Sequence, residues 1–275
     1  MERTGLMGNF ISWWGSTMRY YEHKRAEKII KELGNEPMKC LIIHYSCESF
    51  YDITDGKTPR ITSIAVRSFE SGQTDSFSIH KTAEKRHIET SEIESNYDEL
   101  EKQMLEEFYK FVKNNKNKKW IHWNMRDINY GFKALEHRFE ILGGTPEIIS
   151  DELKFDLSRL LIQLYGVGYI GHPRMERLME KNKITNRHWL NGQGEADAFV
   201  NKEFVKLHQS TLYKVDVFEN IIKRIMNNSL KVNSKYTEIY GLSLQGIFEI
   251  MQSKWWGKAI LALIMLALGY FIGKI

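Results

Sequence analysis

Three short stretches carry the side chains able to do chemistry. Tyr45-Ser46-Cys47-Glu48-Ser49-Phe50 closes one apolar run, His122-Trp123-Asn124-Met125-Arg126-Asp127-Ile128 follows another, and Gly192-Gln193-Gly194-Glu195-Ala196-Asp197-Ala198 opens a late helical pattern. Gathered by folding, the carboxylates of Glu48, Asp127 and Asp197 would form one acidic group. Carboxylates that never meet would be solvated surface groups, and no single stretch decides between the two. Beside them, Arg126 and Asn124 are placed to contact phosphate, and Phe50, Tyr51 and Trp123 to stack on bases. Aromatics at such positions more often pack in a core, above all Trp123 on an inner strand. Lys113, Lys116, Lys118 and Lys119 form a basic, asparagine-laced run ahead of an aromatic strand. Phosphate could be met there, although most such runs are solvated loops.

Positioning these groups falls to a mixture of strand and helix patterns. From Lys39 the pattern turns to strands: residues 40–45 are a buried run, and 60–69 and 74–80 alternate, which predicts a three-stranded meander. Leu100, Met104, Leu105, Phe108, Phe111 and Val112 then fall at helical spacing, after Asn96 and Asp98 as capping candidates. Residues 120–123 form a fourth strand, and 128–142 a helix stopped by Gly143, Gly144 and Pro146. Further helices are predicted over 155–165, 195–208 and 213–226. The order predicts an α/β domain with a mixed sheet flanked by helices. Four segments follow: an N-terminal helical arm (1–34), the domain (35–226), a polar linker with an amphipathic helix (227–253), and an apolar end (254–275).

In this order, the three acidic stretches resemble the DnaQ-like (DEDD) 3′-to-5′ exonuclease family of the ribonuclease H-like fold. Lys154-Phe155-Asp156-Leu157-Ser158-Arg159-Leu160 is similar to the hydrophobic-Asp-Thr-x-x-Leu stretch preceding that family's last motif, and the likeness covers roughly residues 39–209. The resemblance implies a first motif Asp-x-Glu, which here reads Ser46-x-Glu48. A hydroxyl brings no charge and binds a hard cation weakly. The last motif, His-x-Ala-x-x-Asp-Ala, reads Gly192-x-Gly194-x-x-Asp197-Ala198, without the histidine that would act as general base. His188, four residues upstream, could substitute only if its loop folds back. Ser46, Glu48, Asp127, Gly192 and Asp197 are thus expected as relic positions of a non-enzymatic site that keeps a nucleic-acid groove. That groove would draw on Ser46, Glu48, Phe50, Tyr51, Trp123, Asn124, Arg126, Asp127 and His188, with Lys118 and Lys119. No metal cofactor is expected, Mg²⁺ entering only if hydrolysis survives. The alternative is an active, membrane-tethered, metal-dependent 3′-to-5′ exonuclease.

Bulk charge decides little, since 39 basic and 35 acidic residues leave a net charge of +4. Cys40 and Cys47 match neither a disulfide framework nor a paired metal-ligand pattern, and are expected as buried thiols. Met1 to Ser12 lacks an apolar stretch behind a basic start, so a secretory leader is not expected. Trp255 to Ile272 is the stretch that water would reject. At helical rise it reaches about 27 Å, against roughly 30 Å of bilayer hydrocarbon. Trp255, Trp256 and Lys258 supply interface markers, and Gly269-x-x-x-Gly273 permits close helix approach. The expectation is one transmembrane helix, although so short a run also suits a buried or interfacial helix.

A degenerate nuclease-like domain joined to a membrane helix resembles the Hailong-type membrane effectors of bacterial nucleotide-signal antiphage systems. That resemblance implies antiviral defence, a single-stranded DNA oligonucleotide ligand made by a partner nucleotidyltransferase, and a gated ion channel. It also implies a homo-oligomer, a tetramer among the options, single-pass in the bacterial inner membrane with its soluble domain cytoplasmic. A tail-anchored adaptor that binds only protein is the plainer alternative.

Overall fold

The computed structural model describes residues 3–49, 58–185 and 187–272. The chain divides into two compact units, one of residues 30–159 and 179–230, the other of 1–29, 160–178 and 231–275. Among the described residues the larger unit is built on five strands: β1 (Cys40–Cys47), β2 (Ile61–Ser68), β3 (Thr74–Ser78), β4 (Lys119–His122) and β5 (Lys154–Asp156). They lie in the order β3-β2-β1-β4-β5. The β1–β2 and β2–β3 pairs are antiparallel, whereas β1–β4 and β4–β5 are parallel. The expected α/β class with a mixed sheet is therefore what the chain forms.

Side-chain alternation sends the two faces of β1 to different partners. Leu41, Ile43 and Tyr45 join a core with Met104, Leu105, Phe108 and Val112 of α3 (Tyr97–Asn115) and with Leu135 and Phe139 of α4 (Phe132–Ile141). The other face lies under α8 (Phe204–Met226), whose His208 and Arg67-bound Glu219 reach β2. Burial of apolar side chains at roughly 25 cal/mol per Å² is what holds these layers.

Several boundaries differ from the sequence reading. The alternation expected to run to His80 stops at Ser78, where α2 (Ile79–Lys85) buries Ile79 and Ala83 instead. Asn96 stands at the start of α3 without capping it: its amide donates to the Glu92 carbonyl at 2.9 Å. The helix expected from 128 begins only at Phe132, and Lys154–Asp156 adds a fifth strand before α5 (Leu157–Tyr165). Two helices expected over 195–208 and 213–226 are instead α7 (Gly192–Val200) and the long α8, broken at 201–203. Arg174–Lys181 forms α6, which periodicity did not reveal. Gly143 ends α4 as expected, at φ +78, with its N–H on the Glu140 carbonyl.

In the smaller unit, α1 (Arg3–Asn35) supplies Arg19, whose guanidinium donates to the Glu238 and Gln163 carbonyls at 2.7 and 2.6 Å. His23 Nδ1 donates to the Leu164 carbonyl at 2.7 Å, and Lys24 pairs with Glu249 at 2.7 Å. The expected arm is therefore tied down. The linker carries α9 (Tyr236–Tyr240), and α10 (Leu244–Ser253) leads to α11 (Trp255–Ile272). Among the described residues, no helix is long and apolar enough to cross a membrane. The expected transmembrane helix over 254–275 is thus not supported. Lys258 interrupts its start, and the apolar run from Ala259 to Ile272 reaches only about 21 Å at helical rise.

One buried ion pair clasps the larger unit. Glu101 of α3 is 0% exposed. It accepts from the Ile61 backbone N–H at 2.6 Å and from Arg138 of α4, whose Nη2 lies 2.6 Å away. Removing Glu101 strands the Ile61 N–H and leaves Arg138 the exposed Asp98 carboxylate 2.7 Å away, a loss of up to about 3–5 kcal/mol. Glu101→Ala is expected to destabilise the larger unit by that amount in urea unfolding. An unchanged midpoint would show that the clasp contributes nothing.

Candidate functional site

The sheet face under α8 carries a polar layer where apolar side chains would be ordinary. Ser46, 1% exposed on β1, places its hydroxyl on Thr211 Oγ1 and 3.2 Å from Glu195 Oε1. Thr211 donates its own proton to the Leu207 carbonyl at 2.9 Å, so the Ser46 proton is shared between Thr211 and Glu195. Glu195, on the first turn of α7, also receives Lys214 Nζ at 2.6 Å and the Ser210 hydroxyl at 3.3 Å. Lys214 is a side chain of α8 that is 7% exposed, its ammonium 5.2 Å above the Trp189 ring. The Lys214–Glu195 ion pair and three hydroxyls form one satisfied group at the end of β1.

Histidines continue the layer. Ser63, paired in register with Ser46, hydrogen-bonds His208 Nδ1 at 2.7 Å. Burial, then the charge of Lys81 and contact with His80, hold His208 down to about 3. His44 meets Phe218 edge-on and lies 3.2 Å from the Tyr130 hydroxyl. Its pKa is pushed well below the ordinary value, first by burial and then by Lys214. Both rings are therefore neutral where a cation would be stranded.

Each of the three expected acidic positions is engaged locally. Glu48 pairs with Arg60 at 3.4 Å, and Arg60 also holds Glu94 at 2.7 Å while lying 4.5 Å over the Tyr97 ring. Asp127 is exposed and accepts the Asn129 N–H at 2.9 Å, closing its own turn. Asp197 is exposed and accepts from Gln193 at 2.8 Å, one turn away on α7. Among the described residues, no group of three acidic, histidine or cysteine side chains is placed to hold a metal ion. The first and last acidic stretches do meet, but through Ser46 and Glu195 rather than Glu48 and Asp197.

The other candidates scatter. Trp123 stacks on Phe218 at 5.9 Å, as core packing. Asn124 turns at φ +56 and donates its backbone N–H to Asp156, which also pairs with Arg126. His188 rests edge-on against Tyr213, with no hydrogen bond to Glu195 or Asp197. Lys119 pairs with Glu36 at 2.8 Å, and with Lys118 it sits at the start of β4, the opposite end of the sheet from Ser46. Gly192 opens α7, and open space surrounds the point where a side chain would begin. Phe50, Tyr51 and Gly273 lie outside the described residues. Cys40 and Cys47 are free thiols, the first buried and the second half-buried, and burial raises both.

Sequence reasoning missed Glu195, Thr211 and Lys214. A signal was present: Lys214 interrupts the apolar stripe Leu207, Val215, Phe218 of α8, where an unpartnered lysine would be costly. No protein-family model, curated protein or solved structure matches the chain.

The neutral histidines set a pH dependence. Their folded pKa values lie below the unfolded value near 6.5, so the unfolded chain takes up protons first as pH falls. Stability present above about pH 6.5 is expected to drop below it, with His208 contributing a loss of roughly 2 kcal/mol at pH 5. Urea midpoints at pH 7.5 and 5.0 measure this, and His208→Gln is expected to flatten the dependence. Equal slopes for the native chain and that variant would contradict the assignment.

Proposed function

We propose that the chain is an antiphage-defence membrane effector. In this reading a catalytically silent, ribonuclease H-like domain binds a single-stranded DNA oligonucleotide, and the ligand controls an ion channel formed by several copies. The observation that carries it is the Lys214–Glu195 pair seated on Ser46. Two stretches that the exonuclease resemblance brings together do touch, yet their meeting point holds a fixed ammonium in place of uncompensated carboxylates. Two-ion hydrolysis needs surplus negative charge, and here the charge is already balanced. The mixed sheet, in which only β2 runs against the rest, is consistent with the proposed architecture.

Membrane association is supported by α11. Leu263, Ile264, Met265, Leu266, Leu268 and Ile272 are all exposed on it, and contiguous exposed apolar residues mark interaction or membrane surfaces. Trp255 is 82% exposed at its start, and nothing lies within 4 Å of a Cβ added at Gly269. A short apolar helix can be seated by local bilayer thinning and by association with copies of itself. Ligand control requires unequal affinity for two states of the assembly. The bacterial inner membrane, a cytoplasmic soluble domain and a partner nucleotidyltransferase belong to the same proposal.

Expression in bacteria with a potential-sensitive dye tests the output. Depolarisation is expected from the full chain and its loss from a chain lacking residues 254–275, whereas unchanged toxicity after the deletion would refute a membrane output. For the domain, labelled single strands with Mg²⁺ or Mn²⁺ are expected to bind and stay intact. Metal-dependent shortening abolished by Glu48→Ala would instead establish the exonuclease.

A further inference from the structure

A second polar site lies on the other face of the sheet. His122 pairs in register with Ile43, so it shares the α3–α4 side rather than the Ser46 side. Beside β5 and the carboxyl end of β4 there is a cleft of about 330 Å³. It is lined by Arg126, Lys133, Lys154 and Arg159 against only Asp151 and Asp156.

Both carboxylates are already engaged. Asp156 accepts from the Ser158 N–H at 2.9 Å, the Ser158 hydroxyl at 2.8 Å and the Asn124 N–H at 3.1 Å, and pairs with Arg126. Asp151 pairs with Lys154 at 2.8 Å. Lys133 and Arg159 are exposed and have no carboxylate partner among the described residues. Four lining cations face two lining acids, and Glu136, close enough to interact with Lys133, Lys154 and Asp151, brings the surplus to one positive charge.

His122 adds a neutral donor. It is 3% exposed, and its Nδ1 accepts the Met125 backbone N–H at 3.1 Å. The ring proton is therefore on Nε2, which has no acceptor among the described residues. Burial, with Arg126, Lys154 and Arg159 nearby, holds the ring down to about 4, so it does not compete as a cation.

We infer that this cleft binds a phosphomonoester, with Lys133 and Arg159 supplying the uncommitted charge, Arg126 and Lys154 the flanking charge, and His122 Nε2–H a neutral hydrogen bond. The positive surplus favours an anion, and paired guanidinium donors favour phosphate oxygens. The volume falls in the range of small-ligand sites and leaves room for the group esterified to the phosphate. That group is either a free mononucleotide or the end of a strand, and the chemistry recognised is the same. The inference stands apart from the Ser46 face, since no residue is shared with it.

Fluorescence anisotropy on the full chain tests it, using a 3′-labelled hexathymidylate with and without a 5′-phosphate. The phosphorylated strand is expected to bind at least tenfold more tightly, and Lys133→Ala with Arg159→Ala to remove that difference. Both substituted side chains are exposed, so thermal unfolding should be unchanged, and His122→Gln gives an independent, smaller loss. Competition separates the sources: thymidine 5′-monophosphate displacing the probe identifies a free nucleotide, and displacement only by phosphorylated strands identifies a strand end. Equal affinity for both strands together with no saturable binding of thymidine 5′-monophosphate, or phosphate-dependent binding that survives the double substitution, would overturn the proposal.

Discussion

Placing Lys214 beside Glu195 under the sheet takes two charges out of water, and neither could be tolerated there alone. Desolvation costs several kcal/mol per ion and is offset only where the geometry is good and remaining donors and acceptors are satisfied. The chain meets that condition with short-range partners from three elements: Ser46 from β1, Glu195 from α7, and Ser210, Thr211 and Lys214 from α8. The docking of α7 and α8 on the sheet is therefore coupled to one electrostatic group. Burial keeps the histidines at 44 and 208 neutral, with Lys214 adding to the effect at His44 and Lys81 and His80 at His208.

The same group explains why the acidic residues marked by motif are bystanders. Glu48 serves Arg60, Asp127 its own turn, and Asp197 its own helix. Their spacing along the chain resembled a catalytic set, but carboxylate function depends on convergence, which linear spacing does not encode. Ser46 was legible as a departure from the motif, and the structure gives that departure a partner. Glu195 stood in view, two residues before the aspartate of the last motif. Lys214 needed a third observation, a charge within an apolar helical stripe.

For the fold, strands with strong apolar or alternating patterns were readable: β1, β2 and β3, the last read two residues too long, with β4 as a short aromatic run. Lys154–Asp156 was not, since three residues are too few to show a period and its neighbour α5 dominates the window. The break between α7 and α8 at 201–203 was equally hidden. Asn201, Lys202 and Glu203 are polar in any register, and Lys202 adopts φ +58 without a glycine to advertise it. At the chain's other end, composition favoured a spanning helix, while the uninterrupted apolar run falls short of the bilayer's hydrocarbon thickness. Apolar content and span are separate quantities, and only the first is generous here.

Titration of Mn²⁺ into the purified full chain, followed by water-proton relaxation, reads out whether the charge beside Ser46 is already balanced. A built-in ammonium that neutralises Glu195 should leave the native chain without a stoichiometric ion site, and Ser46→Asp with Lys214→Ser should create one. Stoichiometric Mn²⁺ uptake by the native chain, lost on Glu195→Gln, would refute that balance.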